Sequence, residues 1–141
     1  MCENGFQEAV KPEAAPIFPQ CTVSGLGASQ IPGKGRNGSY QIEAEGKRIL
    51  LLGSMELDPD TVYPENADLL ILPYQGKENM AEAAMEIVER LKPARILLDH
   101  FDDAFPPVSE EVDTRPFKKA MDERHPEIKV VKPKAGKPVT L

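Results

Sequence analysis

Apolar residues recur in two different rhythms along this chain, and the change of rhythm marks out its elements. Tyr40, Ile42 and Ala44 alternate with polar neighbours, the period of a strand with one face to solvent, and Glu45-Gly46 supplies a two-residue turn. The run Ile49 to Leu52 is apolar at every position, which predicts a hairpin whose second strand is buried on both faces. Asp68 to Leu72 (DLLIL), stopped by Pro73, predicts another buried strand. The period then lengthens. Met80, Ala83, Ala84, Ile87, Val88 and Leu91 stand at i, i+3, i+4, i+7, i+8 and i+11, which is one face of an α-helix. Asn79 is placed to cap this helix, Glu82 to reach back to the cap and Lys92-Pro93 to end it. Glu86 and Arg90 form an i,i+4 pair on its wet side, worth about 0.3 kcal/mol.

Arg95 to Asp99 (RILLD) is the next strand, so residues 68 to 99 read as one β-α-β unit with parallel strands and a right-handed crossover. Thr114 with Pro116 opens a second helix through about Arg124, Ile128 to Val131 returns as a strand, and Val139 to Leu141 adds an edge strand after a turn at Gly136. Residues 1 to 37 differ in character: prolines at 12, 16, 19 and 32 and glycines at 25, 27, 33 and 35 interrupt any regular element. They read as a loop-rich N-terminal segment with a short strand near Cys21 to Val23, ahead of a folded unit over 38 to 141. The expected class is α/β, a mixed sheet in which a hairpin is followed by β-α-β-α-β.

A length of 141 residues suits a single core. The net charge of −6 argues against nucleic acid or an anionic membrane surface as partner. The basic run Lys129, Lys132, Lys134 and Lys137 does not change this, because no aromatic residues alternate with it to stack bases. Two cysteines, Cys2 and Cys21, make no disulfide framework. No signal-like stretch occupies the first 20 residues and no 18-residue window is apolar throughout. The expectation is a cytoplasmic protein without a membrane span.

Ligands of open α/β sheets gather where the parallel strands end. Strand 48 to 52 exits into Gly53-Ser54-Met55-Glu56, strand 68 to 72 into Pro73-Tyr74-Gln75-Gly76, and strand 95 to 99 into His100-Phe101-Asp102-Asp103. If the first of these runs parallel to the other two, the three loops share one edge. His100, beside Asp99, Asp102 and Asp103, is placed as a metal ligand, base or acid, or else as a histidine satisfied by a nearby carbonyl or by Asp102. Asp102 and Asp103 could line a site or belong to an ordinary acidic loop. Ser54 lacks the G-x-S-x-G elbow of a nucleophile and reads as a capping or turn serine. Tyr74 is a rim or packing residue within reach of a ligand, His125 suits a helix C-terminus, and Gly33-Lys34-Gly35 lacks the spacing of a phosphate loop.

The segments "GSYQIEAEGKRILLLGS", "ADLLILPYQGK", "RLKPARILLDHFDDAFPP" and "GKPVTL", taken in order, resemble the C-terminal half of a metallo-β-lactamase-fold, metal-dependent hydrolase over roughly residues 38 to 141. The resemblance implies half of an αββα sandwich. It matches His100 to the family's last metal-binding histidine and puts Ser54 where many members carry a metal-bridging carboxylate, while Tyr74, Asp102 and Asp103 are candidate lining residues from the strand-end reading alone. The family's H-x-H-x-D-H motif is absent, and no histidine precedes His100. The resemblance therefore implies zinc or another divalent metal, or no metal in this chain, and a small-molecule substrate if active. It also implies an N-terminal half-domain or a second copy as partner, and a chain inactive by itself. The alternative is a non-catalytic binding or interaction module whose metal site has decayed.

Overall fold

The computed structural model describes residues 26–31, 38–103, 106, 107 and 110–141. Among these residues six strands and two helices follow in the order β1 (Leu26–Ile31), β2 (Ser39–Ala44), β3 (Lys47–Leu51), β4 (Leu69–Pro73), α1 (Met80–Leu91), β5 (Arg95–Asp99), α2 (Arg115–Arg124) and β6 (Lys129–Val131). All six strands form one sheet in chain order. The β1-β2 and β2-β3 pairs are antiparallel, and β3-β4, β4-β5 and β5-β6 are parallel.

The β2-β3 hairpin turns on Glu45 and Gly46, both at positive φ (51° and 77°), as a two-residue turn that follows the strand twist requires. Across the long β3-β4 connection the register is held by Arg48: its N–H donates to Asp68 Oδ2 (2.8 Å), its carbonyl accepts from Asp68 N–H (2.9 Å), and its guanidinium reaches the Glu65 and Asn66 carbonyls (3.3 Å each). α1 begins after Asn79 without a side-chain cap bond, so neither Asn79 nor Glu82 forms the expected capping box. It ends as expected at Lys92, which turns left-handed (φ 49°) and donates its N–H to the Val88 carbonyl. Arg90, expected to pair with Glu86, instead donates to the Thr61 carbonyl and lies 5.4 Å from the Tyr63 ring centroid.

Alternation along the strands gives the sheet two unlike faces. Leu50, Leu52, Leu70, Leu72, Ile96 and Leu98 point to the face that α1 and α2 close, and each is at most 2 % exposed. α1 contributes Ala84, Ile87, Val88 and Leu91 to this core and α2 contributes Phe117 and Met121. The other face carries Ile42, Ile49, Leu51, Ile71, Leu97 and Val131, all partly exposed, together with Ala28, Tyr40, Leu69 and Pro73, which are buried, and none of these belongs to that core. No described helix or strand lies over it, since both helices belong to the first face and every strand to the one sheet. The all-apolar run at 49 to 52 is thus buried on one side and half-covered on the other, not enclosed on both.

Two further expectations change. β1 occupies 26–31, inside the stretch read as loop: its partner β2 supplies the ladder that its own sequence, LGASQI, does not announce. Val139 to Leu141 form no strand; the Thr140 carbonyl instead accepts a bond from Arg95 Nη1 (3.1 Å). The short strand expected near Cys21 to Val23 lies outside the described residues.

Candidate functional site

Because β3, β4 and β5 are mutually parallel, their carboxyl ends meet on one edge of the sheet, as the sequence condition required. The exits of β4 and β5 are tied directly, Tyr74 N–H donating to the Asp99 carbonyl at 2.7 Å. At the β5 exit the chain reverses through His100 in the left-handed region (φ 51°), a conformation that histidine adopts more readily than most side-chain-bearing residues. Asp99 stabilises the reversal by accepting the His100 backbone N–H on Oδ1 (2.8 Å), while His100 Nε2 stands 3.6 Å from Asp99 Oδ2. Both side chains are more than half exposed. The carboxylate beside the imidazole is Asp99, its strand neighbour, where the satisfied-histidine reading offered a nearby carbonyl or Asp102. Asp102 and Asp103 lie exposed in the following loop, which the Val112 N–H bond to the Phe101 carbonyl (2.9 Å) pins to the approach of α2.

At the β3 exit, Ser54 Oγ accepts the Glu56 backbone N–H at 3.0 Å, the geometry of a serine turn, as the sequence suggested. Tyr74 is fully buried, with its ring 5.5 Å from that of Phe117, and its hydroxyl finds no partner among the described residues. Burial first, and the negative charge of Asp113 second, push its pKa up to about 12. Asp113 itself is held down at about 2 by hydrogen bonds from Arg115, whose Nε and Nη2 grip the carboxylate at 2.9 and 2.8 Å and whose backbone N–H adds a third bond at 3.0 Å. Sequence reasoning passed over this clamp; its signal is an acid two residues ahead of a basic first helical position, at the start of α2. His125 closes α2 with its N–H on the Met121 carbonyl (2.7 Å) and lies near Glu89 and Glu127, away from the strand-exit edge.

Among the described residues, cavities of about 490 Å³, against Met55 to Leu57, and of about 500 Å³, between Tyr74 to Ala81 and Glu110 to Pro116, border α1. Both open on the helix side of the sheet, and neither is lined by Ser54, His100, Asp102 or Asp103. A catalytic zinc ion takes three protein donors and a water. Among the described residues no three histidine, cysteine, aspartate or glutamate side chains converge, so the donor set on this edge does not fit a metal by itself. Among the same residues no helix is long and apolar enough to cross a membrane.

No family model matches the chain, and no curated protein does. Solved structures do. A Thermotoga maritima protein assigned to the Zn-dependent hydrolases of the metallo-β-lactamase superfamily superposes with a TM-score of 0.59 at 19% identity, over 79% of this chain and 68% of that one. Igni18, a metallo hydrolase from the archaeon Ignicoccus hospitalis, superposes with a TM-score of 0.56 at 24% identity, over 89% of this chain. This chain spans 58% of the length of Igni18. One mixed sheet with its helices on a single face, aligned with these structures, has the architecture of half a metallo-β-lactamase fold.

Proposed function

We propose that this chain is the C-terminal half of a metal-dependent hydrolase of the metallo-β-lactamase fold, and that it hydrolyses nothing until an N-terminal half bearing H-x-H-x-D-H supplies the remaining ligands. The observation that carries the proposal is the state of the β5 exit. His100 stands at the strand end where the resemblance puts a ligand, solvent-facing and with Asp99 as its neighbour, while the described residues offer no third donor. In the completed enzyme His100 would hold zinc or another divalent cation, which would activate a water for attack on a small-molecule substrate in the cytoplasm.

Metal analysis of the purified chain, alone and mixed with such an N-terminal half, tests this. Alone, the chain should carry far less than one ion, unchanged by His100→Ala. Mixed, it should gain metal, and His100→Ala should remove that gain. One ion per isolated chain, lost on His100→Ala, would refute the proposal. Ser54 favours a second reading, a non-catalytic module descended from such an enzyme. Its hydroxyl is committed to the Glu56 N–H at the position where a bridging carboxylate is expected, and this reading predicts no metal gain in the mixture.

A further inference from the structure

The sheet face opposite the helices carries a row of apolar side chains with charged residues at its ends. Pairing register aligns Leu51, Ile71, Leu97 and Val131 in one row straight across β3, β4, β5 and β6. Alternation on β5 then puts Arg95 one step below that row and Asp99 one step above it, on the same face. Lys47 and Lys129 stand at the same strand ends as Arg95, so the amino end of the face is basic, while its carboxyl end carries the single carboxylate of Asp99.

We propose that two copies of this chain pack face to face through this surface, about a two-fold axis running along the Leu51-Ile71-Leu97-Val131 row. Rotation about that axis lays each strand antiparallel over its own copy. Leu97 then meets Leu97, and Arg95 of each chain faces Asp99 of the other across the roughly 10 Å that separates packed sheets, a span the long arginine side chain covers most of and the short aspartate completes. Arg95 gives one N–H to the Thr140 carbonyl, which leaves guanidinium donors for the carboxylate. The alternative two-fold, along the strands, would stack the basic ends on each other and the Asp99 ends on each other. Charge selects the antiparallel arrangement.

Two consequences follow from the geometry. Six strands at about 4.8 Å spacing, with about 13 Å from Arg95 to Asp99, make a face of roughly 400 Å², about half of what a standard interface buries per partner. The dimer is accordingly weak and concentration-dependent. It also carries the two His100 residues to opposite ends, roughly 20 Å apart along the strands, so it builds no metal site from two imidazoles.

Sedimentation equilibrium of the full chain from about 10 µM to about 1 mM tests this, the range in which an interface of this size associates. Wild type should move from monomer to dimer and dissociate more readily when salt rises from about 50 to about 500 mM. Arg95→Asp and Asp99→Arg should each weaken the dimer about tenfold, and the double variant should recover to within about threefold of wild type, because the pairs re-form with reversed sign. Circular dichroism of each variant confirms the fold, and the salt series tests the pairing without any substitution. A monomer throughout, an assembly larger than a dimer, or a double variant no better than the single ones would overturn the proposal. A monomer that nonetheless takes up an N-terminal half and metal would overturn self-pairing while leaving the hydrolase reading intact. A dimer that binds stoichiometric zinc would do the reverse.

Discussion

Replacing Tyr74 by phenylalanine should make this protein more stable. The Tyr74 side chain is fully buried and its ring packs on Phe117 at 5.5 Å, while its hydroxyl has no described partner. A hydroxyl taken out of water without a hydrogen bond costs about 1–3 kcal/mol, and the substitution removes that penalty while keeping the ring. Against it stand the few dispersion contacts of one oxygen atom, about 0.5 kcal/mol in total. The net expectation is a gain of about 1 kcal/mol at neutral pH, or roughly 3 °C in melting temperature for a chain of this size. Urea denaturation at pH 7 and at pH 11 measures both this gain and its pH dependence. The folded chain holds the Tyr74 proton up to about 12, whereas the unfolded chain releases it near the ordinary value of 10. Stability contributed by the neutral phenol is thus complete below 10 and lost as pH rises towards 12, and the advantage of Tyr74→Phe should widen over that interval. A variant less stable than wild type by 1 kcal/mol or more would show that the hydroxyl is bonded and the reasoning wrong.

Two other outcomes follow from backbone and charge. Lys92 ends α1 in the left-handed region with an exposed side chain whose ion pair to Glu65 spans 3.8 Å, so Lys92→Gly should relieve the strain and raise stability by about 0.5–1 kcal/mol in thermal denaturation. Asp113, held at about 2 by Arg115, contributes stability that is present above its ordinary 3.8 and lost as pH falls through 2. Asp113→Asn should therefore lower the melting temperature at pH 5, with the difference from wild type vanishing near pH 2.

The elements that the sequence made legible are those whose pattern is local. α1 follows from its spacing of apolar residues, α2 from Thr114 and Pro116 at its start, and β4 and β5 from short apolar runs. What the sequence hid depends on neighbours distant in the chain. β1 exists because β2 lies beside it, and the run at 49 to 52 is half-covered because both helices pack on one face. The candidate site divides along the same line. His100 is identifiable at the end of an apolar strand, and Ser54 as a turn former, from adjacent residues. That Asp99 accepts the His100 N–H while Asp102 and Asp103 lie exposed depends on the left-handed backbone at residue 100, which no apolar period encodes. The burial of Tyr74 depends on Phe117, more than forty positions on, and on the clamp beside it.

The strand order has a consequence for how the molecule is assembled. Each strand lies next to the one made just before it, so the sheet can lengthen by one edge at a time as the polypeptide leaves the ribosome, without waiting for a later segment to fill a gap. The last addition, β6, is three residues long and holds the margin with the fewest ladder bonds. Opening should begin there, and amide exchange in Lys129–Val131 should outpace that of β4, which has neighbours on both sides.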